Sequence, residues 1–210
     1  MLLYAFDPLC GWCFGLLPAM RLLKETHPEL PIELVMGGLV LGARVGPYKG
    51  MEQYIRGAAP RMTQVTGQPL SEAFWQLIAK PHVISNSAPP IRAILQMQLQ
   101  APEKAVDFAH SLSHAHFALG ADLGDLETVQ GLAGSLAETL ELPDYPQTNE
   151  THPLVQPEVR RARSMGVRSY PTLAVRTGEN QAWHGLPSVY EPHAFVAQIE
   201  DALRGLSTAP

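Results

Sequence analysis

A chain of 210 residues can bury a sizeable core without disulfide or metal staples. Its 46% hydrophobic and 17% charged content is that of an ordinary globular protein. The formal charge of −5 and pI near 5.9 argue against nucleic acid as a partner, because phosphate binding needs a clustered basic excess. The densest basic group, Arg160, Arg161 and Arg163, reads as a solvated helix face.

The chain opens on an apolar run, but no positive charge precedes Arg21 and Asp7 interrupts the run, which does not fit a secretion signal. No apolar stretch approaches the ~18 residues that span a bilayer. The expectation is a cytoplasmic protein with no membrane partner. Leu2–Phe6 reads as a buried strand and Asp7-Pro8 as a turn, and from Phe14 to Lys24 the pattern is helical. The chain's two cysteines, Cys10 and Cys13, lie between turn and helix as Cys-Gly-Trp-Cys. A structural zinc site needs about four ligands, and no second cysteine pair exists to supply them. A c-type haem site needs His after the second cysteine, where Phe14 stands. A redox-active dithiol needs only these two residues at a helix start, and is the most economical reading. Cys10 falls where unpaired N–H groups and the positive dipole end favour a thiolate nucleophile. Cys13, one turn further in, is placed to resolve a mixed disulfide.

Pro31–Met36 reads as a second strand ended by Gly37-Gly38, which completes a β-α-β unit. From about 45 to 150 strand signals vanish. Ser71 is expected to cap a helix over Glu72–Lys80 with Phe74, Trp75, Leu77 and Ile78 as its apolar stripe. Ser87 caps one through Leu99, Pro102 opens one through Ala118, and Asp125 begins one through Leu142. His110 and His114 are one helical turn apart, a spacing that can hold a metal, but no carboxylate sits at a matching offset and no metal is expected. Then α/β character returns. Pro157 starts a helix over Glu158–Met165 that stops at Gly166. Tyr170–Arg176 forms a strand, Thr177–Asn180 a hairpin turn and Gln181–His184 its partner. A capping box of Ser188 and Glu191 opens the last helix, and Leu206–Pro210 reads as a disordered tail. The fold class is α/β, a small mixed sheet of four or five strands flanked by helices, interrupted by an all-helical subdomain. The division is 1–44, first part of the α/β domain; 45–150, helical insertion; 151–210, second part.

This order of elements, with Cys-x-x-Cys directly after the first strand, resembles the thioredoxin superfamily, and most closely its DsbA-like branch. The run Asp7-Pro8-Leu9-Cys10-Gly11-Trp12-Cys13-Phe14-Gly15 is similar to the active-site signature of FrnE-like and predicted cytosolic disulfide-isomerase proteins. Gly166–Thr172 resembles the family loop that ends in a cis-proline facing the dithiol, and Pro18 stands where thioredoxins carry a kinking proline. The resemblance implies a thiol–disulfide oxidoreductase or disulfide isomerase, with Cys10 attacking, Cys13 resolving and Pro171 as the cis-proline. It implies no cofactor beyond the redox-active pair, with glutathione an optional cosubstrate. Partners are a disulfide- or thiol-containing protein or small molecule, and a second redox protein that recycles the dithiol. Trp12 and Tyr170 are the candidates for substrate contact, Trp12 either exposed to a docking peptide or folded over the site.

Two departures stand out. The Gly-Trp dipeptide is neither the Gly-Pro of thioredoxins nor the Pro-His of strongly oxidising relatives, so the direction of electron flow is open. The acid that thioredoxins bury six residues before the first cysteine is replaced by Tyr4, and the nearest acid is Asp7. Asp7 either caps through its turn or takes the proton of Cys13. Two other functions compete with the oxidoreductase. Kappa-class glutathione transferases and hydroxychromene-carboxylate isomerases resemble the same fold but carry Ser in place of the first cysteine. A non-catalytic peptide-binding module would use the fold without the thiols.

Overall fold

The computed structural model describes residues 1–134, 140–142, 153–178 and 181–207. In chain order the elements are β1 (Leu2–Phe6), α1 (Gly11–Thr26), β2 (Ile32–Met36), β3 (Gly46–Pro47), α2 (Glu52–Thr66), α3 (Glu72–Ile78) and β4 (Ile84–Ser85). They continue with α4 (Ala88–Gln100), α5 (Ala105–Leu119), α6 (Leu126–Gly134), α7 (Val155–Ser164), β5 (Thr172–Val175), β6 (His184–Leu186) and α8 (Pro192–Ser207). One sheet has the order β2-β1-β5-β6. β1 is parallel to β2, which the crossover through α1 requires, while β5 pairs antiparallel with β1 and β6 antiparallel with β5.

The unbroken apolar sequence of β1 follows from its central place. Leu2, Tyr4 and Phe6 enter the main core, while Leu3 and Ala5 pack on the opposite face against Val35, Ala162, Val167 and Ala174. Each large side chain so buried contributes roughly 1.5–3 kcal/mol. α1 covers the first face with Cys13, Phe14, Leu16, Leu17, Ala19, Met20 and Leu23. The outer edge of β2 is not left bare. The Met36 N–H donates to Glu158 on α7 (2.9 Å), and the Leu34 carbonyl accepts from Gln98 of α4 (3.0 Å) and from Arg161. Arg161 also pairs with Glu158 and Glu33, so this basic group is not merely a solvated face.

Several expectations are corrected. α2 has no counterpart in the sequence reading, because Gly57 and Pro60 interrupt it and only Ala59, Met62 and Thr66 are buried. β3 and β4 form an antiparallel pair two residues long inside the stretch expected to be purely helical, too short to leave a period-two pattern. Pro102 opens a single 3₁₀ turn (Pro102–Lys104) ahead of α5. The partner of β5 is His184–Leu186 and not Gln181–His184, since Trp183 lies under the Arg176 guanidinium, 4.3 Å from its ring centre. Glu191 takes the capping role assigned to Ser188. Pro192 occupies the first helical position, and Glu191 accepts from the N–H groups of His193 and Ala194 (3.1 and 2.6 Å). Leu206 and Ser207 belong to α8 and not to a tail. The expected continuation of α6 over 135–139, the turn residues Glu179 and Asn180, and 208–210 lie outside the described residues. Among the described residues no helix is long and apolar enough to cross a membrane.

Candidate active site

The carboxyl end of β1 carries the chain into a turn closed by the Cys10 N–H donating to the Asp7 carbonyl (3.1 Å) and the Leu9 N–H donating to the Asp7 side chain (3.0 Å). That turn delivers Cys10 to the N-cap of α1. Its backbone is extended, and its carbonyl accepts the first helical bond from Phe14 (3.0 Å). Both cysteines are free thiols. Cys10 is 5% exposed and Cys13 fully buried, so of the two residues only Cys10 touches solvent. Burial, and then the adjacent Cys10 sulfur, push the Cys13 thiol well above its usual range. Cys13 is therefore held as a protonated thiol.

The opposite wall comes from the segment before β5. The Cys10 thiol donates to the Tyr170 carbonyl at 3.4 Å, and the following peptide, Tyr170–Pro171, is cis, as the resemblance implies. Tyr170 is anchored from its other end, its hydroxyl donating to the Gly37 carbonyl (2.6 Å). Its ring lies where a β-carbon on Gly37 would stand, 1.8 Å from Cε1. Trp12 is half-buried, its ring 5.8 Å from that of Tyr190 in the loop before α8. Burial, and then the two cysteines, push the Tyr190 hydroxyl up to about 12. Sequence reading missed Tyr190, since nothing in a loop aromatic 180 residues from the cysteines marks it.

Asp7 does not cap α1. Its carboxylate is fully buried and accepts from the Leu9 N–H, from the Leu39 N–H (2.6 Å) and from the Ser87 hydroxyl (3.0 Å). Burial pushes Asp7 up to about 6, and the bonds from Leu39, Leu9 and Ser87, with the charge of Arg44, limit the rise. Ser87 stands at the N-cap of α4 as expected, but its hydroxyl is turned away from the helix: it gives its proton to Asp7 and accepts the Val40 N–H (3.0 Å). Tyr4, at the thioredoxin acid position, is fully buried near both sulfurs, and its hydroxyl makes no hydrogen bond among the described residues.

The histidines of α5 form no metal centre among the described residues. His116 is buried, donating from Nδ1 to the Ala121 carbonyl (2.9 Å) and accepting the Tyr48 hydroxyl at Nε2 (2.8 Å). His110 packs edge-on against Tyr4, and the cavity beside it, about 530 Å³ between α1 and α5, is lined by Arg21, Lys24, Asp107 and His114 among others.

No protein-family model and no curated protein sequence matches the chain. Solved structures do. The cytosolic disulfide reductase DsbM from Pseudomonas aeruginosa superposes with a TM-score of 0.77 at 23% identity, over 97% of this chain and 98% of that one. The same protein with GSH gives 0.73 at 22%, with the same coverage. A Nitrosomonas europaea protein, named as a proposed protein disulfide isomerase, gives 0.73 at 21%, over 97% of each chain. At these identities the likeness is one of fold, and it extends over nearly the whole chain. The chain has the DsbA-like thioredoxin fold.

Proposed function

We propose that this chain is a thiol–disulfide oxidoreductase or disulfide isomerase working through Cys10 and Cys13. The observation that carries the reading is the placement of the pair. One sulfur sits at the N-cap of α1 against the carbonyl before a cis-proline, and the other is buried one turn in. The N–H groups of the first turn of α1 stabilise negative charge as it develops on Cys10. That thiolate attacks a substrate disulfide, forming a mixed disulfide and releasing one thiol. Cys13 then attacks the Cys10 sulfur, the internal disulfide forms and the second substrate thiol leaves. Pro171 and Tyr170 border the sulfur where an extended substrate backbone would lie. Trp12, with Tyr190, forms the aromatic wall that contacts the substrate, and Asp7 is the group that takes the proton of Cys13.

Substrates are disulfide- or thiol-containing proteins or small molecules. Glutathione as cosubstrate is supported by the structure of DsbM with GSH, and a cytoplasmic setting by that protein's description as cytosolic. A separate redox protein returns the dithiol to its working state. We assign 1–44 and 151–210 to the thioredoxin-type part and 45–150 to a helical insertion. The test is trapping. Cys13→Ala mixed with glutathione disulfide accumulates a mixed disulfide on Cys10, visible as a mass increase, whereas Cys10→Ala accumulates none. A Cys13→Ala protein that forms no adduct would overturn the reading.

A further inference from the structure

The helices between β2 and α7 touch the segment that carries the dithiol, and two of those contacts stand out. Met62 of α2 packs on Gly11 between the cysteines, its sulfur 2.7 Å from where a β-carbon on Gly11 would lie. Ser87, at the head of α4, is hydrogen-bonded to Asp7, eighty residues away in sequence. The second contact is polar, fully buried and wired in both directions. Ser87 accepts the Val40 N–H and donates to Asp7, and its own N–H donates to the Val40 carbonyl (2.9 Å). Such a contact is not needed to start α4, whose first N–H, that of Ala88, is taken by the Asn86 side chain (2.9 Å).

Asp7 is the acid at the head of the dithiol turn, and both its backbone N–H and its charge act on the Cys13 thiol. A carboxylate has about four lone-pair positions. Fixed donors from Leu9, Leu39 and Ser87 fill three, which leaves one for a proton. The strand position that carries the acid in thioredoxins is Tyr4, a neutral hydroxyl here, and the carboxylate whose charge acts on Cys13 is Asp7.

We propose that Ser87 is a positioning residue for resolution, holding Asp7 as the ionised acceptor of the Cys13 proton. This rests on the dithiol reading above. In the step itself, the Cys13 S–H bond breaks and its proton passes to the Asp7 carboxylate. The sulfur forms a bond to Cys10, the Cys10–substrate S–S bond breaks, and its electron pair leaves on the substrate thiolate, which takes a proton from water. The dithiol is oxidised by two electrons and the substrate disulfide is reduced by two. Ser87 acts on the ionised form because its hydroxyl donates to a carboxylate, and losing a hydrogen bond to a charged group raises the acid's pKa by about one to two units. The other groups that face Asp7 are Arg44, whose charge favours ionisation, and Cys13, Tyr48 and Tyr170, which stay neutral through the pH range concerned.

The experiment is rapid mixing of the reduced protein with glutathione disulfide from pH 5 to 9, following capture of the first glutathione separately from release of the second. In the wild type, release rises with pH through a midpoint near 6, where Asp7 ionises. In Ser87→Ala the midpoint moves up by about one unit or more while capture is unchanged, and Ser87→Thr, which keeps the hydroxyl, restores it. A purely structural hydrogen bond would lower stability and leave that midpoint in place. An unmoved midpoint in Ser87→Ala overturns the proposal. Should that variant not fold, Asp7→Asn answers the same question: release that keeps its limb near pH 6 overturns the proposal, and loss of the limb supports it. If Cys13→Ala captures no glutathione at all, the dithiol reading itself has failed and this proposal falls with it.

Discussion

Gly37 shows how a residue without chemistry can place one that has it. Tyr170 lies against the Gly37 backbone, its hydroxyl held by the Gly37 carbonyl and its own carbonyl turned to Cys10. A methyl group at 37 must push the ring away. Gly37→Ala is therefore expected to cost about 1–3 kcal/mol, read by urea denaturation, and to slow capture of a disulfide by Cys10. In a Tyr170→Ala background the same change is nearly neutral, because the ring it strikes is gone; equal costs in both backgrounds would contradict the packing argument. At this scale the placement of Cys10 and Cys13 at the head of α1 and the cis peptide before Pro171 were legible, because each follows from a fixed spacing or a fixed loop. The contacts of Asp7 with Leu39 and Ser87 were not. Ser87 reads as a helix cap from its neighbours alone, and only the folded chain shows its hydroxyl turned to an acid eighty residues earlier.

The helices that bury charge-bearing side chains set the response to acid. His116 of α5 is 1% exposed, and burial holds it down to about 4. In the unfolded chain it binds a proton below about 6.5, so its contribution to stability is complete above that value. It is lost as pH falls towards 4, by up to about 3 kcal/mol. His110, pushed down to about 3 by burial and by Lys24, acts in the same sense. Asp7 acts in the opposite sense. Its folded pKa is raised, so its contribution is full below about 4 and is lost as pH rises through about 6. The expected net result is a wild type that loses stability from pH 6.5 to 4.5, and a His116→Gln variant that is weaker at pH 7 but loses less over the same range. Denaturant titrations at several pH values check this, and parallel curves for the two proteins would contradict it. Among the elements, β1 was readable from its unbroken apolar run, α1 from its helical period and β2 from a mostly apolar run ended by Gly37-Gly38. α2 was not, because Gly57 and Pro60 interrupt a helix that buries little. The β6 register shifted because Trp183 packs against Arg176 outside the ladder.

At the scale of the whole molecule, the sheet is assembled from the two ends of the chain. β1 and β2 come before the interposed helices and β5 and β6 after them, and β1 joins the two pairs. The active-site candidates divide the same way: Cys10, Cys13, Trp12 and Asp7 precede the interruption, Ser87 lies within it, and Tyr170, Pro171 and Tyr190 follow it. This order of elements was visible because strand-period segments occur only near the two ends of the sequence. How the helices close over the dithiol was not, since that depends on packing between distant faces. The function proposed for this arrangement is a dithiol that cycles. The most direct measurement is equilibration of the protein against graded mixtures of reduced and oxidised glutathione, with thiol trapping and Trp12 fluorescence as readouts. The expected result is one reversible transition in which both thiols disappear together, with a two-electron slope. Its midpoint fixes the direction of flow, near about −270 mV for a reductant and near about −120 mV for an oxidant. A pair that stays reduced across the whole series, or two thiols that react independently, would contradict the account.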